Sequence, residues 1–168
     1  KVNTLESAPR FLLVSDHGFS QFDYKVHVNG WLEEQGYLHI GDQAKPRSLE
    51  GANWPQSQAY AVGLNSIYLN LQGREGQGCV SLQGKEALLE KIRQELLAWK
   101  GPNGEHVFSS IKVGSQEYDG PYADYAPDLN LGFAAGFRAS AQTGLGKWET
   151  AAIEENKDHW HADHCIDA

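Results

Sequence analysis

Between Arg10 and Phe133 the chain alternates short apolar runs with helical periodicity, which confines it to layered α/β architectures. The run Phe11-Leu12-Leu13-Val14 is continuously apolar and closes on Ser15-Asp16-His17-Gly18, the pattern of a buried strand ending in a loop. That places Asp16 and His17 at a strand's carboxyl end, where α/β sheets gather ligands. A helix is expected over Lys25 to Gln35, with Val28, Trp31 and Leu32 on one face, Glu33 and Glu34 outward, and Gly36 as a left-handed stop. The clearest helix spans Lys85 to Trp99: Leu88, Leu89, Ile92, Leu96 and Trp99 share one stripe, charged residues take the other side, and Gly101-Pro102 ends it. Strands are expected over 61–71, 107–113 and 129–133, and a loop over 41–57. With no internal repeat, the expectation is one α/β domain across 1–168 with a largely parallel sheet.

Composition narrows the function. At 168 residues, 40% apolar and 21% charged, the chain buries a real core and is neither a disordered tail nor a disulfide-stapled miniprotein. Fourteen Lys plus Arg against 22 Asp plus Glu leave a net charge of -8, which disfavours general nucleic-acid binding. An anionic ligand therefore needs a local source of positive charge. The longest apolar windows, 10–14 and 59–71, are too short or too interrupted to span a membrane. The sequence opens on Lys1, has no Met and no signal-peptide pattern, and reads as an excised or processed piece. Cys79 and Cys165 allow one disulfide, too little to fix a redox compartment.

Two places carry metal-binding residue types. Asp16 and His17 are adjacent on a tight loop and can both turn toward one divalent ion, although such a pair also serves as a turn acceptor beside a solvated histidine. The run His159-Trp160-His161-Ala162-Asp163-His164-Cys165 is dense in donors, but its spacing fits no zinc-finger or metalloprotease pattern, so an adventitious surface cluster stands as the alternative. Ser15-Asp16-His17 lacks a nucleophile elbow, which excludes a serine hydrolase reading. The glycines from Gly73 to Gly78 lack the ending of a phosphate-binding loop and are read as a turn fixed by an Arg74–Glu75 ion pair.

Taken in order, Val14-Ser15-Asp16-His17-Gly18-Phe19, the block from Val28 to Leu38, the block from Ala59 to Leu71, Gly73-Arg74-Glu75, Ala126-Pro127-Asp128-Leu129 and Trp160-His161-Ala162-Asp163-His164-Cys165 resemble the type I phosphodiesterase/nucleotide pyrophosphatase family of the alkaline phosphatase superfamily. The resemblance implies part of a three-layer α/β/α sandwich and a two-zinc site acting on a phosphate ester or nucleotide. By position, Asp16 and His17 match the pair that ligates one zinc, and His164 matches the late histidine that ligates the other. His159, His161 and Asp163 carry no such role and are read as outer or surface groups; Cys165 is not expected to be a ligand. The family's Thr or Ser nucleophile and its remaining ligands lie upstream of the Asp-His pair, in regions this sequence lacks. The implied protein is therefore the C-terminal portion of a hydrolase, inactive alone, and the alternative is a non-catalytic structural or interaction module whose His-rich end binds metal nonspecifically.

Overall fold

The computed structural model describes residues 10–41, 47–149 and 151–164. In chain order they form β1 (Ser20–Val26), α1 (Val28–Glu34), β2 (Arg47–Ser48), β3 (Ala59–Ala61), β4 (Ser66–Leu69), α2 (Lys85–Ala98), β5 (Phe108–Val113), α3 (Gly114–Glu117), β6 (Leu129–Phe133), β7 (Gly136–Ala139), α4 (Ala141–Gly144), β8 (Lys147–Trp148), β9 (Ile153–Glu155) and β10 (Ala162–Asp163). Cys165 lies outside the described residues, so the possible disulfide does too; Cys79 is a free thiol.

The mixed α/β composition is as expected, but strand polarity is not. One sheet runs β3-β4-β6-β5 with every pairing antiparallel. A second centres on β1, which pairs β7 in parallel on one edge and β9 and then β10 antiparallel on the other, and β2 with β8 makes a separate two-stranded antiparallel sheet. Among the described residues β1–β7 is thus the parallel pair between named strands. For β3 and β4 the reason is local, since the short turn 62–65 leaves no room for a crossover helix. The expected strand over 61–71 is a hairpin, β3 and β4, because Gly63 adopts φ +79 and turns the chain.

The apolar run Phe11 to Val14 departs most from expectation. It is coil, with Phe11 83%, Leu12 88%, Leu13 100% and Val14 74% exposed. Among the described residues no strand pairs with it, so it has no ladder and no face to bury. Asp16 and His17 accordingly precede β1 rather than follow a strand.

Helix α1 begins three residues later than expected, because Lys25 and Val26 belong to β1. Its buried Asn29 extends β3 by side chain: Nδ2 donates to Ala61 O at 2.8 Å and Oδ1 accepts from Ala61 N at 2.7 Å. Gly36 holds φ +75, the left-handed stop. Glu33 does not face solvent alone; it accepts from Trp148 Nε1 at 3.0 Å and pairs with Arg47. Helix α2 buries Leu89, Ile92 and Leu96 as its stripe predicts. An aromatic path then ties both helices to the antiparallel sheet, with ring centroids at 5.7 Å for Trp31–Trp99, 6.0 Å for Trp99–Phe108 and 5.0 Å for Phe108–Phe133.

Two polar networks lock this frame. Arg74 and Glu75 form the expected pair at 2.7 Å, and Glu75 Oε2 accepts from Leu71 N at 2.7 Å. The larger anchor is Asp128, whose Oδ2 meets Arg74 Nη2 at 2.7 Å and Leu69 N at 2.8 Å while Oδ1 meets Lys85 Nζ at 3.1 Å. Its side chain is 3% exposed, so both oxygens depend on these partners. Removing one member of a buried ion network costs about 3–5 kcal/mol. Asp128→Ala is therefore expected to lower the urea midpoint by that equivalent with the m-value unchanged. A midpoint within about 1 kcal/mol of wild type would show that the network is dispensable.

The second network closes the β1–α1 junction. His27, 1% exposed, accepts from Glu149 N at Nδ1 (3.4 Å) and donates from Nε2 to Glu154 Oε2 at 3.1 Å; Lys25 Nζ reaches Glu154 Oε1 at 3.1 Å and Asp158 Oδ2 at 3.3 Å. Burial by itself raises the Glu154 carboxyl, but hydrogen bonds from His27 and Lys25 outweigh it and hold it below the ordinary 4.5. A depressed folded value contributes stability above the unfolded one and loses it as pH falls through the folded one. Glu154→Gln is thus expected to flatten the acid limb of a thermal-denaturation profile below pH 4.5. At neutral pH it should lower Tm by no more than about 2–4 °C, since a half-exposed carboxylate is screened. An acid limb identical to wild type would place the acid sensitivity elsewhere.

Candidate metal and phosphate-ester site

Three sequence-distant donors meet where β1 begins. Antiparallel pairing of β1 with β10 sets Ser20 opposite Asp163, so the residue after β10, His164, falls beside the residues before β1. The His17 and His164 rings stack with centroids 4.3 Å apart and planes inclined by 24°. Phe19 touches both edge-on, at 5.6 Å from His17 and 6.1 Å from His164. All three sequence-predicted donors, Asp16, His17 and His164, therefore lie in one cluster at the surface.

Their hydrogen bonds decide which atoms face outward. His17 Nδ1 lies 3.0 Å from Gly18 O, and a carbonyl only accepts, so the proton sits on Nδ1. The opposite nitrogen, Nε2, lies 3.3 Å from Asp16 Oδ2. Asp16 Oδ1 is held by the backbone, accepting from His17 N at 3.0 Å, and the Ser15 hydroxyl donates to His17 O at 2.7 Å. His164 Nδ1 lies 3.1 Å from Asp163 Oδ1, which accepts from His164 N at 2.7 Å. Asp16 is 86% exposed, and the His17 and His164 side chains are 38% and 49% exposed.

The remaining residues of the donor-rich C-terminal run divide by burial. Asp163 is buried and stands directly behind His164. His161 faces solvent, touched at Nδ1 by the Asn156 amide at 3.4 Å, and His159 is exposed. Among the described residues no group of three or more His, Cys, Asp or Glu side chains is disposed to hold a metal ion. What the cluster does offer is a carboxylate and two imidazoles, residue types that zinc and other borderline divalent ions accept.

Three features were invisible in the sequence. Phe19 forms a wall against both imidazoles; Arg138 backs Asp163 at 2.5 Å; and a cleft of about 560 Å³ opens beside His164, with Asn65, Lys112, Tyr118 and Asn130 in its lining. Each comes from a different strand or loop, so no local motif announces it. In the cleft Lys112 pairs with Glu117 at 3.2 Å and the Tyr118 hydroxyl donates to Asn130 Oδ1 at 3.2 Å.

A model of the type I phosphodiesterase / nucleotide pyrophosphatase family matches residues 1–160, which include Asp16 and His17 and stop four residues short of His164. No curated protein and no solved structure matches the chain. No helix among the described residues is long and apolar enough to cross a membrane. The family's fold is alkaline phosphatase-like, its members hydrolyse phosphate esters and nucleotides, and the mixed α/β frame described above is part of such a domain. With nearly its whole length matched, this chain belongs to the type I phosphodiesterase / nucleotide pyrophosphatase family.

Proposed function

We propose that this chain is the C-terminal portion of a metal-dependent phosphodiesterase or nucleotide pyrophosphatase, in which Asp16 and His17 ligate one of two zinc ions and His164 ligates the other. The observation that carries this reading is the meeting of the Asp16–His17 pair with His164 at the β1–β10 edge. The Asp16–His17 geometry suits a chelate. Two donors each about 2.0–2.1 Å from a tetrahedral zinc stand roughly 3.3 Å apart, and Asp16 Oδ2 and His17 Nε2 are 3.3 Å apart. Without a cation or an added proton between them, two acceptors at that separation repel.

A catalytic zinc takes about three protein ligands, so three donors divided two and one call for others, together with a hydroxyl nucleophile, from sequence ahead of this chain. The exposed Phe11-Leu12-Leu13-Val14 run supports that assignment, since four adjacent apolar side chains in water are a surface awaiting cover. When bound, a zinc pair supplies Lewis-acid stabilisation of phosphoryl oxygens and lowers the pKa of the attacking oxygen. In an acidic chain it also supplies the positive charge that draws the ester in. Asp16, His17 and His164 bind and orient, Phe19 shields the imidazoles on one side, and the cleft lined by Lys112, Tyr118 and Asn130 receives a substituent of the ester.

Calorimetric titration with zinc tests the first half and hydrolysis of bis(p-nitrophenyl) phosphate the second. The chain alone is expected to bind zinc weakly, and a longer form carrying upstream sequence to bind two ions per molecule and turn over. In the longer form Asp16→Ala or His164→Ala should lower kcat/KM by more than about a hundredfold, beyond the loss typical of an outer-shell partner, with the far-ultraviolet dichroism retained. Unchanged turnover in either variant would remove that residue from the metal site. Zinc binding abolished only by replacing His159 and His161 would favour the non-catalytic module instead.

A further inference from the structure

We infer that Arg138 is a positioning residue for His164, acting through Asp163 across the face of β1. The inference takes its purpose from the zinc-ligand reading of His164. Its structural claim concerns only which ring nitrogen of His164 carries the proton and where the ring points.

Arg138 lies on β7 and Asp163 on β10, on opposite edges of β1. Strands two ladders apart are separated by roughly 9–10 Å, a gap that a long side chain must cross. The guanidinium makes the crossing over the ring of Phe22 at 5.0 Å, and Phe22 is 2% exposed. It is steered by Nε donating to Ala139 O at 2.9 Å and ends with Nη1 at 2.5 Å from Asp163 Oδ2. Arg suits this path and Lys does not, because a planar, weakly hydrated cation can lie on an aromatic face and still donate at its end.

The pair is largely out of water, with Arg138 15% and Asp163 10% exposed at the side chain. A buried ion pair is weak as a source of stability, since desolvation consumes much of the attraction. What it does secure is direction. With Oδ2 fixed by Arg138, Oδ1 is left to accept from His164 N at 2.7 Å and to stand 3.1 Å from His164 Nδ1. A carboxylate at Nδ1 keeps the proton there and holds Nε2 as the free lone pair, the form in which an imidazole binds metal. The sequence signal is a single arginine in a glycine-rich strand, which nothing local connects to the histidine.

The test begins with the metal-free chain, so it does not depend on hydrolysis. Long-range proton–nitrogen correlation spectra at pH 8.5, where an ordinary imidazole is neutral, report the tautomer of each histidine. His164 is expected in the Nδ1–H form in wild type, to shift toward Nε2–H in Arg138→Ala and in Asp163→Asn, and to be partly restored in Arg138→Lys. Zinc affinity of the longer form should fall 10- to 100-fold with Arg138→Ala. An Nε2–H form of His164 in wild type overturns the inference, as does an Arg138→Ala protein whose tautomer and zinc affinity are both unaltered. If Arg138→Ala does not fold, Asp163→Asn and Arg138→Lys decide on the same criteria. Expected tautomers in a protein whose longer form neither binds zinc nor turns over would sink the hydrolase reading and leave the positioning role of Arg138 standing.

Discussion

The register of β1 against β10 is the constraint from which the site follows. One residue pair, Ser20 opposite Asp163, determines that the end of the chain's last described strand abuts the loop ahead of its first. A strand register slipped by one residue would turn Asp163 to the other face of the sheet, away from Arg138 and Phe22, and would carry the His164 ring off His17. Much of the second half of the chain sustains that register. Asn156 N donates to Asp23 O at 2.7 Å and Phe22 N to His161 O at 3.0 Å, while His27, Glu154 and Lys25 clamp β9 to the same strand. The donors at the surface are thus only the visible part of a strand pairing whose hydrogen bonds are buried behind them.

Sequence periodicity located elements well where one face is buried and the other wet. Helix α2 and strands β5 and β6 fall within a residue or two of their expected spans because their apolar residues follow a single period. Strand β1 escaped because Ser-Gln-Phe-Asp-Tyr-Lys-Val reads as polar: only Phe22 and Val26 are buried, and Lys25 spends its charge on ion pairs with Glu154 and Asp158. Phe11 to Val14 misled in the opposite direction, since four apolar residues look like a core strand whether or not a neighbouring strand is there to bury them. The Arg74–Glu75 pair was legible as adjacent charges, whereas Asp128, which completes it from another element, was not.

The site was legible for a different reason. Neither the Asp16-His17 dipeptide nor the run from His159 to Cys165 has a spacing that specifies a metal, and their joint reading came from the ordered resemblance to a family. Physical chemistry adds the ring contacts: His17 Nδ1 lies 3.0 Å from Gly18 O and Nε2 3.3 Å from Asp16 Oδ2, and His164 Nδ1 lies 3.1 Å from Asp163 Oδ1. A net charge of -8 is no objection to the proposed reading, in which metal charge rather than Lys or Arg would draw an anionic ester to the protein.

The two carboxylates buried in ion pairs with arginine separate scaffold from site. Asp128 spends both oxygens on its own frame: Oδ2 on Arg74 and the Leu69 backbone, Oδ1 on Lys85. Asp163 is paired as tightly on one oxygen, but its other oxygen reaches outward to the His164 backbone and ring. Burial and an arginine partner are common to both, and only the direction of the second oxygen differs. A buried carboxylate saturated by its own frame holds a turn together. One with an oxygen turned to an exposed imidazole couples the rigidity of the sheet to that ring, and on that distinction rests the proposal that Arg138 and Asp163 serve the site while Arg74 and Asp128 serve the fold.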